Sequence, residues 1–308
     1  MGSRLQSILD IVDEGLRVYR RGFSGFVVIT ALWLVPIAIG IGGSIAAAQY
    51  WGDTATFLIT LVWMVLALPL ALLLIGGISR ATLVVQAEQA IELRKMLAVP
   101  PVRLMGMGCY SLVFYLVANV VTSAFSMFCL CPLYMGVAFL LGSVGVGLGE
   151  SQIGEGVMLL LGMVLGILLM LIYGLALAMS GATFSSLIYA VQPFVHQDLR
   201  FRAAVEHSVN LVFYRFGFNL LAFLLCSIIF AAMAIAVSVA IGVLLPLPLL
   251  WALGRDSAIA QGSSAIAWLL GFLVVIPPMP IWMALLYQRN FALREGNVLE
   301  ARIAEQLG

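Results

Sequence analysis

Long apolar stretches alternate with short mixed segments along this chain, and the mixed segments carry nearly all of its positive charge. Hydrophobic residues run almost unbroken from about Phe23 to Gln49 and from Ala55 to Ser79. Further runs begin near Met107, at Val157–Met179, at Phe216–Val243 and at Ser264–Leu286. Each exceeds the ~20 residues that an α-helix needs to cross a hydrocarbon core. Strand-type alternation is absent, which argues against an outer-membrane barrel. The mixed segment 3–21 has a helical period, with Leu5, Ile8, Leu9, Val12, Leu16 and Tyr19 on one face. Arg4, Asp10, Asp13, Arg17 and Arg20 occupy the other face. That division predicts an amphipathic helix lying in the membrane interface.

The charge pattern orients these elements. Arg4, Arg17, Arg20 and Arg21 form a first basic cluster, and Arg80, Arg94, Lys95 and Arg103 a second. Arg200, Arg202 and Arg215 follow, then Arg289, Arg294 and Arg302, leaving only Arg255 alone. Two spans fit between each cluster and the next, so all four clusters can face one side. Positive charge is retained on the cytoplasmic side, which places both termini there. Composition agrees: 63% of residues are hydrophobic and 9% charged, with a mean hydropathy of +1.14. A soluble domain has roughly 45–50% apolar and about 25% charged residues. The first twenty residues lack the apolar core and small-residue cleavage site of a signal peptide. A net charge of +1 says little about partners, because the cytoplasmic edge is basic and the rest neutral, and the single Lys fits a GC-rich bacterial genome.

The expected fold is all-α: one polytopic membrane helix bundle over 1–308. Its six spans fall in three repeats of an interfacial amphipathic helix plus two transmembrane helices. The repeat units are about 1–79, 80–195 and 196–290, with a cytoplasmic tail at 291–308. Tyr19-Arg20-Arg21-Gly22-Phe23 and Tyr214-Arg215-Phe216-Gly217-Phe218 share Tyr-Arg-x-Gly-Phe at equivalent places. At such a junction Gly permits a bend, Arg reaches a lipid phosphate and the aromatics anchor the interface. Arg103 and Gly106 stand roughly there in the middle unit. Arg20, Arg21, Arg103 and Arg215 are therefore the candidate lipid-headgroup residues. The run 107–149 is long enough to cross twice, but a further span would move the later basic clusters outside. Pro132–Gly149 is accordingly expected to be re-entrant or interfacial, with Leu245–Trp251 as its counterpart.

Candidate chemistry is sparse. None of the fourteen acids falls mid-span, which disfavours ion-coupled transport. Asn119, Thr122 and Ser123 in the third span and Asn219 in the fifth lie at depth. They serve either as interhelical contacts or as the lining of a polar conduit. Cys129 and Cys131, before Pro132, are two thiols without the further ligands that a structural zinc site needs. His196 near Asp198, and His207 beside Glu206, lack a nucleophile or metal set around them. No metalloprotease spacing, nucleophile elbow or phosphate loop occurs. No catalytic residue, metal or cofactor is expected. Gly40, Ser44 and Ala48, and Gly162, Gly166 and Gly174, form small-residue stripes that permit close helix approach. Pro36, Pro69 and the Pro277-Pro278-Met279-Pro280 cluster interrupt three spans.

Ala204-x-x-x-Ser208-x-x-Leu211-x-x-x-Arg215-Phe216 resembles a signature in the membrane domain of glycerophosphoryl diester phosphodiesterases and related stand-alone membrane proteins. Val209 and Gly217 stand where Trp is common in that group. The resemblance implies a membrane fold without catalytic residues, since hydrolase activity in fused members belongs to a separate soluble domain. The expected role is a non-enzymatic scaffold or accessory subunit in a bacterial cytoplasmic membrane. Its partners would be membrane lipids and other membrane subunits or a second copy, with no nucleic acid. The alternative is a transporter, flippase-like protein or channel for a lipid or small neutral solute.

Overall fold

The computed structural model describes residues 2–147, 152–197, 199–254 and 257–307. Helix accounts for 91% of the chain, and no strand occurs among the described residues. In chain order the elements are α1 (Gly2–Arg21), α2 (Phe23–Tyr50), α3 (Gly52–Gln86), α4 (Leu93–Leu97), α5 (Pro101–Gly147) and α6 (Gln152–His196). They continue with α7 (Phe201–Phe213), α8 (Phe216–Val237), α9 (Leu247–Leu253), α10 (Ala258–Val275) and α11 (Pro278–Leu307). A π-helical turn at Ser238–Leu244 extends α8. Six stretches are long and apolar enough to cross a membrane: Phe23–Tyr50, Gly52–Gln86, Pro101–Ala124, Gly166–His196, Phe216–Leu253 and Ala260–Gly296.

The middle of the chain departs from expectation. The fold-back expected from Pro132 does not occur, because α5 continues as one helix of 47 residues to Gly147. A helix satisfies its backbone hydrogen bonds internally, so an apolar run with no polar break has no reason to turn. At 1.5 Å per residue α5 is ~70 Å long, well beyond a ~30 Å hydrocarbon core. α6 likewise begins at Gln152, ahead of the run at Val157, and has 45 residues. The interfacial helix expected within 80–105 is also reduced. Arg80 is still inside α3, and only the five-residue α4 precedes the Pro100-Pro101 pair that opens α5.

The two Tyr-Arg-x-Gly-Phe junctions bend differently. At the first, Gly22 separates α1 from α2 with an ordinary φ of −100°. Its role is close approach, since a Cβ there would sit 2.7 Å from the Phe26 ring and 2.8 Å from Val85. At the second, Gly217 lies inside α8, and Arg215 itself takes the left-handed conformation with φ 55°. Glycine freedom is used at neither position.

Packing is concentrated at the end where the basic segments meet. From Met279 to Tyr287 α11 is nearly all buried: Ile281, Trp282, Met283 and Ala284 are at 0% exposure. Such a helix, apolar and enclosed on every face, forms the centre of a fold. α1, α3, α6, α7 and α8 surround it. α1 runs antiparallel along it: Arg289 Nη1 donates to Ser7 O (3.0 Å), Trp282 Nε1 to Val12 O (3.2 Å) and Tyr19 Oη to Val274 O (2.8 Å). The last bond has a covalent cause. Pro278 has no N–H for the carbonyl four residues back, and that carbonyl is Val274. Tyr19 supplies the missing donor, and burial pushes its phenol up to about 12, so it stays protonated. The buried stripe of α1 is Ile8, Ile11, Val12, Gly15, Val18 and Tyr19. It is rotated from the expected face, leaving Leu5 and Leu9 each 45% exposed.

Away from this end the helices bury little. Within their most apolar windows the first five spans are 17–22% buried, against 67% for the last. Local contacts exist: a Cβ at Gly40 would run into the Trp63 indole, and one at Gly242 would lie 2.7 Å from Trp268. A Cβ at Gly42, Gly43, Gly166 or Gly174 would meet nothing within 4 Å. The α6 stripe therefore does not serve packing within the chain at Gly166 and Gly174. The close approach of α6 occurs instead at Gly181, whose Cβ would lie 2.9 Å from Ser227 Cβ on α8.

Candidate functional site

The basic segments gather at one end through contacts between distant elements. Arg21 at the α1–α2 elbow pairs with Glu88, just after α3, at 3.7 Å. Arg80 reaches Val195 O of α6 (3.4 Å) and Ala98 O after α4 (2.9 Å). Tyr110 of α5 and Ser208 of α7 are 2.7 Å apart. Ser208 spends its proton on Ala190 O of α6 (2.5 Å), so Tyr110 is the donor in that pair. This ties the starts of spans one and three, and the helix that leads into span five, to the ends of spans two and four.

The four headgroup candidates share this end but not one pocket. Arg20 is exposed on α1. Arg21 borders a crevice of about 530 Å³ with Ser24, Gly25, Glu88 and Gln89. Arg103 is half-buried in the first turn of α5. Arg215 is exposed at the α7–α8 corner, its guanidinium 5.5 Å from the Phe218 ring centroid.

The polar residues expected at depth also disperse. Asn119 donates back to Tyr115 O of its own helix (3.0 Å), and Ser123 is exposed. Thr122 meets Thr183 of α6 at 2.8 Å, where Thr183 in turn donates to Met179 O (3.1 Å). Thr122 is thus a contact between two spans. Asn219 is fully buried just inside the α7–α8 corner. Its Nδ2 lies within reach of Leu211 O (3.1 Å), Val212 O (3.1 Å) and Tyr214 O (2.8 Å). It caps the end of α7, whose last carbonyls have no helical partner. Its Oδ1 accepts from Asn290 Nδ2 at 2.8 Å, and Asn290 also reaches Tyr189 Oη at 2.9 Å. One knot thus joins α6, α7, α8 and α11.

Asn290, Tyr189 and Ser208 escape a sequence reading that looks for polar residues within apolar runs. Asn290 stands in what reads as a polar tail. A signal for Ser208 does exist: Ala204, Ser208 and Leu211 recur at helical spacing, and their exposures are 1%, 1% and 0%. The Ala204–Ser208–Leu211 spacing is therefore the packing face of α7, with Arg215 and Phe216 at its exposed corner.

The histidines sit among aromatics. His196 stacks on Tyr287 at 5.6 Å, Tyr287 on Phe291 at 6.0 Å, and His207 lies 5.5 Å from Phe291. Burial and the nearby Arg294 lower the His207 pKa, while Glu295 opposes them. Cys109 and Cys131 are exposed and Cys226 is buried. The Cys129 side chain, Asp198, Glu150, Arg255 and Asp256 lie outside the described residues. Among the described residues no three His, Cys, Asp or Glu come together as a metal set.

Six apolar spans joined at one end define a multi-pass integral membrane protein of all-helical architecture. No protein-family model, curated protein or solved structure matches the chain.

Proposed function

We propose that this chain is a non-enzymatic scaffold or accessory subunit of a membrane assembly, with its basic end resting on anionic lipid. The supporting observation is the uneven packing. The basic end is knitted together around α11, while five spans keep about four-fifths of their most apolar windows unburied. Apolar faces of that extent are lipid- or partner-facing by construction. In this reading the chain comprises three units, 1–79, 80–195 and 196–290, each a junction segment followed by two spans. α1 and α7 are the amphipathic junction helices and α4 is a shortened one. The membrane is a bacterial cytoplasmic membrane, with both termini inside. The Ala204–Ser208–Leu211 face of α7 is what links the chain to the stand-alone relatives of the phosphodiesterase membrane domain. A conduit would need Asn119, Thr122, Ser123 and Asn219 to share one lining, and their separate hydrogen bonds do not favour it.

Arg20 and Arg215 carry the lipid contact in this reading. A basic residue near an anionic surface contributes about 1 kcal/mol. Arg20→Ala combined with Arg215→Ala should therefore lower the preference for phosphatidylglycerol over phosphatidylcholine about tenfold or more. Lipid retained by the purified protein is the readout, with assembly followed by size-exclusion chromatography. Unchanged lipid retention together with unchanged assembly would remove the proposal.

A further inference from the structure

The crevice of about 530 Å³ at the α1–α2 elbow brings two opposite charges to one opening. Arg21 enters it from the elbow and Glu88 from the segment after α3. They lie 3.7 Å apart, with side chains 62% and 82% exposed. That separation is within ion-pair range but too long for a hydrogen bond. Ser24 and Gln89 add uncharged polar groups to the walls, and Val85 and Ile91 add apolar surface. Gly25 lets the segment after α3 lie against α2, since a Cβ there would run into Ile91.

Glu88 is held in a conformation that disfavours it. Its φ is 57°, the left-handed region that costs residues other than glycine. The end of α3 imposes this: Glu88 N donates to Val85 O (3.1 Å) and Gln89 N to Val84 O (2.9 Å). Such a pair of bonds closes a helix around one left-handed residue, usually Gly and sometimes Asn. An ion pair as exposed as that with Arg21 adds little stability, so the pair does not account for a glutamate here. Strain of this kind collects at ligand sites.

The crevice also opens onto an apolar face of α2. Val28, Leu32, Val35 and Ile39 follow Gly25 at steps of three and four, so they share its side of the helix. All four are exposed, by 42% to 68%. A cation and an anion at the mouth, with an apolar track leading from it, match a zwitterionic amphiphile.

We infer that this crevice is a site for one phosphatidylethanolamine, its phosphate on Arg21, its ammonium on Glu88 and an acyl chain along the Val28–Ile39 face of α2. A primary ammonium has N–H groups to donate to a carboxylate, whereas the trimethylammonium of phosphatidylcholine has none. The inference rests on the reading that this end lies at the headgroup level of a membrane. It goes further in naming one zwitterionic lipid and the glutamate that selects it.

The experiment is native mass spectrometry of the full chain, released from nanodiscs of equal phosphatidylethanolamine, phosphatidylcholine and phosphatidylglycerol. One tightly held phosphatidylethanolamine per chain is expected. Glu88→Gln should cut its preference over phosphatidylcholine about tenfold or more, because a charge-assisted hydrogen bond is lost. Arg21→Gln should weaken its retention to a similar degree. Glu88→Gly separates lipid binding from a structural role. It relieves the left-handed strain, so the melting temperature should hold or rise while the preference falls. Glu92→Gln, whose carboxylate pairs with Lys95 at 2.7 Å, should leave the preference unchanged. Preference kept by both Glu88 variants would overturn the site. A melting temperature that falls in Glu88→Gly would make the pair a structural clamp and overturn it too. Displacement of the lipid by millimolar glycerophosphoethanolamine would overturn the lipid assignment. Arg20→Ala with Arg215→Ala should lower anionic preference and leave the phosphatidylethanolamine bound. Lowered anionic preference in that variant, with no phosphatidylethanolamine selected by the unaltered chain, would remove this site and leave the broader reading standing.

Discussion

Asn219→Ala is expected to cost about 3 kcal/mol or more, enough to leave little folded protein in mild detergent. The side chain is at 0% exposure and serves Leu211, Val212 and Tyr214 carbonyls while accepting from Asn290. Removing it strands several buried groups, each costing about 1–3 kcal/mol when left without a partner. Asn219→Asp distinguishes this account from a conduit. An aspartate keeps the size and polarity of a pore-lining residue but cannot donate to the carbonyls, and its charge would be buried. It should be at least as damaging as alanine. Asn119→Ala is the control, because Asn119 is half-exposed and bonds only its own helix. Its effect should stay within about 0.5 kcal/mol. Thermal unfolding of the three variants in one detergent is the measurement.

The second large effect lies where α1 meets α11. Trp282 is at 0% exposure, its indole N–H satisfied by Val12 O at 3.2 Å. Trp282→Ala should destabilise by about 3–5 kcal/mol. The opposite insult acts on the same contact. A Cβ at Gly15 would run into the Trp282 indole, lying 2.8 Å from Nε1, so Gly15→Leu forces the two helices apart. The two substitutions should be strongly non-additive when combined, since the leucine then fills part of the indole's space. Gly42→Leu, with nothing within 4 Å of its Cβ, should leave stability unchanged. Additive losses at Gly15 and Trp282 would contradict the close α1–α11 contact.

These two sites show which features were legible from the sequence. Span number and order were readable, because a spanning helix is specified by length and apolarity alone. So was the helical segment before Phe23. The identity of its buried face was not, because α1 packs on protein: Trp282 selects Gly15 and the Val274 carbonyl selects Tyr19. The Pro277-Pro278 break was foreseeable, but the residue that satisfies the freed carbonyl lies 255 positions away. Asn290 was unreadable for a related reason. It follows Arg289 in a polar stretch, and only the third dimension brings it to Asn219 and Tyr189. The length of α5 does not follow from charge arithmetic, which counts crossings but says nothing about how far a helix runs beyond the bilayer. The glycines at 166 and 174 fit a packing motif and still face open space. Spacing alone does not say whether a partner stands opposite.

Six spans gather their basic segments at one end, and we propose that this end faces the cytoplasm. Cysteine accessibility in sealed vesicles tests it most directly, with the four native cysteines replaced and single cysteines placed at Asp53, Glu88 and Arg215. An impermeant thiol reagent should reach Glu88→Cys and Arg215→Cys only from the cytoplasmic side, and Asp53→Cys only from the opposite side. Labelling of Asp53→Cys and Glu88→Cys from one side, or of Glu88→Cys and Arg215→Cys from opposite sides, would contradict it.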